Sequence, residues 1–341
     1  SVITESPLSL TRTSASSSSL HSRFSLANNK QSNKNNKKIE IHLSDFVGDS
    51  KGFKMDLHET RKICCRVLLD ILIVGCLVVP IVFFRIWGEP YKRGFFCDDA
   101  SLKHPYREST IQPWMLFMMG FVASVSIIVS VEFFKSNEYK MRGIGGYSTH
   151  RRYHFWHLEI ADWLIECYKK IGLLIFGIGV GHLTSDIAKY SLGRLRPHFF
   201  AVCQPMMFDG STCDHPQNAG RYIEQFECLG LGVDPKLLKQ VSLSFPSGHS
   251  VFSFFTMVYL SIFLQQRMTW QRAKMFKHLL QFFCLMMAWY TALTRVSDYK
   301  HHWTDVLAVL FFIYFLFKSL EPIFCGYMDE YACTMYVGKT H

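Results

Sequence analysis

Charge is scarce in this sequence: Asp, Glu, Lys and Arg make up 19% of its 341 residues. Chain-wide disorder needs low hydrophobicity and high charge, and an apolar share of 49% excludes it. With 21 glycines and 11 prolines the chain is not collagen-like, and 11 cysteines over this length do not make a small disulfide knot. No Asn-x-Ser/Thr sequon occurs, and no group of His, Cys, Asp and Glu has the spacing of a zinc site. The N-terminal segment lacks the positive, apolar, small-residue layout of a cleavable signal, so the first apolar span must direct targeting. The sequence begins at Ser1, as a fragment or an alternative product would.

Apolar length is what the sequence has in quantity. Six apolar stretches follow a Ser-, Asn- and Lys-rich start: Val67 to Trp87, Trp114 to Phe134, Ile171 to Ala188, Val251 to Leu264, Leu279 to Leu293 and Val306 to Phe317. A free-standing span needs about 20 apolar residues, and the last three fall short, but each begins or ends at a cluster of His, Arg, Asp or Ser. Six runs between polar loops predict an all-α polytopic membrane protein whose helices satisfy their own backbones. The expected organisation is a disordered cytoplasmic tail over 1–60, a six-helix membrane domain over 61–326 and a short cytoplasmic tail over 327–341.

A formal charge of +10 would also suit a nucleic-acid binder, but the basic residues fall mostly at the ends of apolar runs, which favours a membrane and no nucleic acid. The loop from Lys135 to Lys170 carries seven Lys or Arg, and that from Arg267 to Lys277 carries four with no acid. The positive-inside rule then places both termini in the cytoplasm and the loops after the first, third and fifth helices outside or in a lumen. Those outer loops hold Cys97, Cys203, Cys213 and Cys228, enough for up to two disulfides whose pairing the spacing leaves open.

Three polar clusters interrupt the apolar pattern, all on the expected outer side. Lys189 and Arg196, seven apart at the end of the third helix, share a helix face, and Pro197 discourages further helix. The run Ser244 to Ser250, with Ser247, Gly248 and His249, opens the fourth helix, where free N–H groups attract anions and glycine allows close backbone approach. Between the fifth and sixth helices stand Arg295, His301, His302 and Asp305. A carboxylate four residues from His301, or three from His302, could hold an imidazole tautomer, and spacing alone does not choose between them. Three cations, an N–H cradle, two separated histidines and an aspartate suit phosphoryl transfer through a histidine nucleophile, with no metal or other cofactor required.

These residues resemble the three signature motifs of the lipid phosphate phosphatases, the membrane type 2 phosphatidate phosphatases: Lys, six residues, Arg-Pro; Pro-Ser-Gly-His; and Ser-Arg, five residues, His, three residues, Asp. Lys189, Arg196 and Pro197 match the first, Pro246 to His249 the second, and Arg295, His301 and Asp305 the third, where Thr294 replaces Ser and keeps a hydroxyl. The likeness runs from about Arg61 to about Phe324. It implies catalytic residues His301 (nucleophile), His249 (general acid) and Asp305 (orienting), with Lys189, Arg196, Ser247, Gly248 and Arg295 binding phosphate. It also implies an extracytoplasmic site acting on phosphatidate, lysophosphatidate, sphingosine 1-phosphate or ceramide 1-phosphate, at the plasma membrane or an endomembrane. The competing class, a non-catalytic lipid-binding or scaffolding relative, would be marked by loss of the nucleophile or the acid, and both are present.

Two further features stand in the third helix. Gly177-x-x-x-Gly181 could bring two helices together, within one protomer or in a homo-oligomer, with intramolecular packing the expected use. Asp186, at membrane depth beside His182, is expected to support Lys189 or Arg196.

Overall fold

The computed structural model describes residues 60–141, 154–155, 158–268 and 274–328. The chain divides into two units, residues 1–62 with 155–157 and residues 63–154 with 158–341. Of the smaller, only 60–62 and 155 are described, as the start of a helix and one extended residue, and all that follows concerns the larger. The tails expected over 1–60 and 327–341 lie outside the described residues, save Thr60 and the helical backbone at 327–328.

In chain order the elements are α1 (Thr60–Trp87), β1 (Phe95–Phe96), α2 (Pro113–Met141) and α3 (Asp162–Leu192). A long connection then carries α4 (Phe199–Cys203), β2 (Pro205–Met207), β3 (Tyr222–Ile223), β4 (Phe226–Cys228) and α5 (Pro235–Gln240). The chain continues through α6 (Gly248–Arg267), α7 (Lys274–Ser297) and α8 (Trp303–Met328). The described residues thus contain six helices long and apolar enough to cross a membrane, α1 to α3 and α6 to α8.

The three short apolar runs lie in helices of 20, 24 and 26 residues. An apolar run counts only residues facing core or lipid, whereas a helix starts at its cap. For α6 that cap is Ser247, whose Oγ accepts the Ser250 N–H. For α8 the Asp305 carboxylate, in the first turn, accepts the His302 N–H at 3.0 Å, the reciprocal half of a capping box. Polar motif residues therefore form the helix ends.

Helix α6 is the axis of the core. Of its apolar window 67% is buried, against none for α1. Val251, Phe255, Tyr259, Leu260, Phe263 and Leu264 are almost fully enclosed by α2, α3, α7 and α8. Close approach depends on small residues: a Cβ on Gly177 would sit 2.0 Å from the Phe255 ring, and one on Gly181 3.2 Å from Val251. The Gly-x-x-x-Gly face is thus an intramolecular seam between α3 and α6. Helix α1 instead presents Leu68, Leu72, Val79, Phe83 and Ile86 on its surface, as a lipid-facing helix does.

A second, smaller core caps the motif-bearing end of the bundle. Phe95, Phe199, Val202, Ile223 and Val241 are buried together, with Phe226 packed on them. Strand β1 pairs antiparallel with β3, and β2 with β4. Disulfides Cys97–Cys213 and Cys203–Cys228 tie the α1–α2 loop and the α3–α6 connection. The four cysteines grouped by the sequence therefore pair among themselves.

Candidate active site

The site forms where the end of α3, the start of α6 and the α7–α8 turn meet. Helix α3 stops at Gly193, whose φ of 54° is left-handed and whose N–H returns to the Lys189 carbonyl at 3.1 Å. A Cβ there would lie 1.9 Å from the Tyr91 carbonyl oxygen, so only glycine fits this end. Lys189 is left in the last turn, and Arg194 and Arg196 follow in non-helical chain pinned by the Arg196 N–H to the Val241 carbonyl at 2.8 Å.

Lys189 donates to Asp186 at 3.3 Å, and its Nζ lies 3.1 Å from where a Cβ on Gly248 would be. Glycine at 248 therefore lets the ammonium rest on the first turn of α6. Arg196 is half-buried, and among the described residues its Nε has no hydrogen-bond partner. Burial pushes its pKa down to about 10, with Asp305 opposing and Arg295 assisting, so it stays charged at neutral pH. Arg295 is 1% exposed and held by Asp298 at 3.1 Å and the Thr294 hydroxyl at 3.2 Å, so the hydroxyl kept by Thr294 is in use.

The two adjacent histidines, which spacing could not rank, are separated by the structure. His301 is buried, and its Nδ1 lies 2.6 Å from the Ser244 carbonyl oxygen. A carbonyl only accepts, so Nδ1 carries the proton and Nε2 keeps the lone pair. Burial pushes His301 down to about 4, Asp305 opposing and Arg196 and Lys189 reinforcing, so the ring is neutral at pH 7. His302 instead donates from Nε2 to the Leu195 carbonyl at 3.1 Å and acts as a tie between segments.

Asp305 is fully buried, and its nearest oxygen is 3.8 Å from His301 Nδ1, an ion-pair distance rather than a hydrogen bond. Its hydrogen bonds come from the Ser244 hydroxyl at 2.6 Å, the His302 N–H and the Arg194 guanidinium. Asp305 thus fixes the segment that supplies the carbonyl partner of His301. His249 is half-buried on the first turn of α6, and among the described residues its enclosed Nε2 has no hydrogen-bond partner. Ser247 spends its hydroxyl on the α6 cap, also accepting from the Ser250 hydroxyl at 2.9 Å.

The structure therefore gathers Lys189, Arg196, Gly248, His249, Arg295, His301 and Asp305 at one end of the bundle. Arg194, Ser244, Asp298 and Thr110 had no individual role in the sequence reading. The first three lie within or beside the motifs, where spacing ranks no residue above its neighbours. Thr110 is 188 residues from Asp298, to which it donates from N–H and hydroxyl at 2.8 Å each, and no local signal marks it.

Residues 170–319, which contain all three clusters, match the PAP2 superfamily. A putative phosphatidate phosphatase of Drosophila melanogaster is 58% identical over 252 residues, 74% of this chain and 66% of that protein. Phospholipid phosphatase 2 of Rattus norvegicus is 34% identical over 275 residues, 77% of this chain and 91% of that protein. This chain belongs to the PAP2 superfamily, in its lipid phosphatase branch. Phospholipid phosphatase 2 of Homo sapiens is similarly related, 36% identical over 245 residues, 72% of this chain and 77% of its own. The six apolar helices make this PAP2 member an integral membrane protein. No solved structure matches the chain.

Proposed function

We propose that this PAP2 member hydrolyses lipid phosphate monoesters through a phosphohistidine on His301, without a metal. The observation that carries this reading is the bond from His301 Nδ1 to the Ser244 carbonyl, which leaves a neutral ring with its lone pair on Nε2. That nitrogen attacks phosphorus and the bond to the lipid oxygen breaks. His249, as imidazolium, gives its proton to the departing alkoxide, and the lipid alcohol leaves. Water then attacks the phosphohistidine, surrenders a proton to His249, and inorganic phosphate departs with His301 restored. Lys189, Arg196 and Arg295 offset charge on the phosphoryl oxygens, the role that magnesium takes in other phosphoryl-transfer enzymes. Ser247 and Gly248 begin the helix whose free N–H groups complete the cradle.

The substrates are phosphatidate, lysophosphatidate, sphingosine 1-phosphate and ceramide 1-phosphate, whose chains stay in the bilayer while the headgroup reaches the helix ends. By the positive-inside rule we read the lysine- and arginine-rich sequence after α2 and after α6 as cytoplasmic, which leaves the site extracellular or lumenal, at the plasma membrane or an endomembrane. Residues 1–60 and 327–341 are then cytoplasmic tails.

Purified protein should release phosphate from this lipid panel in excess EDTA, and His301→Ala should release none. Loss of activity on chelation with recovery on adding a metal, or wild-type turnover by His301→Ala, contradicts the mechanism. Intact cells with surface-confirmed protein should hydrolyse added lysophosphatidate; hydrolysis only after permeabilisation contradicts the sidedness.

A further inference from the structure

Lys300 directly precedes His301, and both amides donate to the Arg295 carbonyl, at 3.0 and 3.1 Å. The turn therefore holds Arg295, Lys300 and His301 in fixed relation. Lys300 is 6% exposed, and its ammonium lies 3.7 Å from the centre of the Tyr106 ring. Among the described residues it makes no hydrogen bond and no ion pair. The carboxylate closest in sequence, Asp298, is occupied by Thr110 and Arg295. A buried ammonium with an aromatic face and no anion is costly unless a ligand supplies the missing charge.

The surroundings make that ligand an anion. Arg196, from the chain after α3, and Arg295, from the end of α7, both act on Lys300, while Asp298 and Glu108 oppose them. His198, between α3 and α4, is fully buried beside Arg196 and Lys300; its Nδ1 donates to the Tyr299 carbonyl at 2.7 Å, and its Nε2 has no partner among the described residues. The α1–α2 loop braces this arrangement. His104 stacks on Tyr299 at 4.3 Å, Arg107 lies over the same ring at 5.0 Å, and Tyr106 meets His198 edge-on at 5.3 Å. Tyr299 itself has a left-handed φ of 55°, a strained conformation for a bulky residue that these contacts maintain.

We propose that Lys300 is a fourth phosphate-binding cation, added to Lys189, Arg196 and Arg295 and held in place by Tyr106 of the α1–α2 loop. Its ligand is the phosphate dianion, on a lipid or as free product. This rests on the reading of the site given above. It also gives affinity a dependence on alkaline pH. Burial, with Arg196 and Arg295 beside it, pushes Lys300 down to about 8, whereas Arg196 at about 10 stays charged. Phosphate binding should weaken as pH rises through 8 and Lys300 loses its proton.

The test uses the full chain in lipid–detergent micelles, with short-chain lysophosphatidate as substrate and inorganic phosphate as inhibitor, from pH 6.5 to 9.5. At pH 7, Lys300→Gln should raise both KM and the inhibition constant for phosphate roughly tenfold, as loss of a charge-assisted hydrogen bond does, with a smaller change in kcat. The parent's KM should rise above pH 8. Lys300→Arg should keep low KM and abolish that rise, because arginine does not deprotonate there. Wild-type KM and phosphate inhibition in Lys300→Gln, or the same alkaline rise in Lys300→Arg as in the parent, overturns the proposal. A fall in kcat alone that arginine does not rescue reduces Lys300 to a structural staple. If Lys300→Gln does not fold, the pH profile of Lys300→Arg decides. If the parent turns over no lipid phosphate, the proposed function fails separately. Protection of parent and variants from thermal unfolding by inorganic phosphate then tests Lys300 alone: weaker protection of Lys300→Gln than of the parent supports it, and equal protection overturns it.

Discussion

The two ends of α3 and α6 carry contrasting groups of buried charge. At the far end Glu132, Glu166, Lys170 and Arg267 close on one another. Arg267 grips Glu132 through two hydrogen bonds of 2.8 Å, Lys170 pairs with Glu166 and lies 3.6 Å from Glu132, and Arg267 is 3.7 Å from Glu166. About 27 Å away along α6, by its rise per residue, the motif end holds cations in excess. Arg196 Nε and His249 Nε2 are enclosed without partners among the described residues, and Lys300 has only an aromatic face. Buried charge is costly in both places, but one group neutralises itself and the other keeps an excess of cations, which the proposed phosphate would offset. Ionisable residues in a membrane protein mark function most clearly where the count of partners does not close.

The comparison can be broken by disrupting each end in turn. After the complete loss expected of His301→Ala, the largest effect belongs to His249. His249→Ala should lose about 10²- to 10⁴-fold on a lipid phosphate, and less on an aryl phosphate, whose leaving group needs no proton. Equal fractional losses on the two substrates would count against the acid role.

At the far end, Arg267→Met should cost about 3–5 kcal/mol of stability, because it strips two charge-assisted hydrogen bonds from the buried Glu132 carboxylate, while the folded fraction keeps its activity per molecule. Thermal unfolding in detergent, scored together with activity, separates stability from chemistry. At the motif end the pattern should invert: Arg196→Met should lose about 10²- to 10³-fold in kcat/KM with no fall in melting temperature. If both variants fail in the same way, the two ends do not differ as described. The smallest effect tests the seam that joins them. Gly177→Ala forces its methyl into Phe255 and should cost about 1–3 kcal/mol, with modest loss of activity. An unchanged melting temperature would show that the seam yields freely.

The membrane spans were legible because apolar length is local. Their ends were harder to read because Gly248, His249 and Asp305 are polar and yet helical, a choice made by caps rather than by hydrophobicity. The disulfide-tied cap was not legible beyond its cysteines: strands of two or three residues carry no period, and Cys97 and Cys213 are 116 residues apart. Within the site, motif spacing identified which side chains gather. It could not show that the His301 partner is a backbone carbonyl, since every residue has one, nor that Asp305 takes Arg194 rather than the imidazole as its closest cation. Lys300 was hidden for a related reason: a lysine beside two histidines has no signature until its burial is known.

The central claim is that His301 Nε2 becomes covalently phosphorylated. The direct measurement is an alkaline quench of purified protein with ³²P-labelled lysophosphatidate, followed by peptide mapping of the label. The account predicts acid-labile, alkali-stable label on the peptide containing His301, placed on that residue and absent from His301→Ala. Label on His302 instead, or turnover with no enzyme-bound phosphate at any time point, would contradict it.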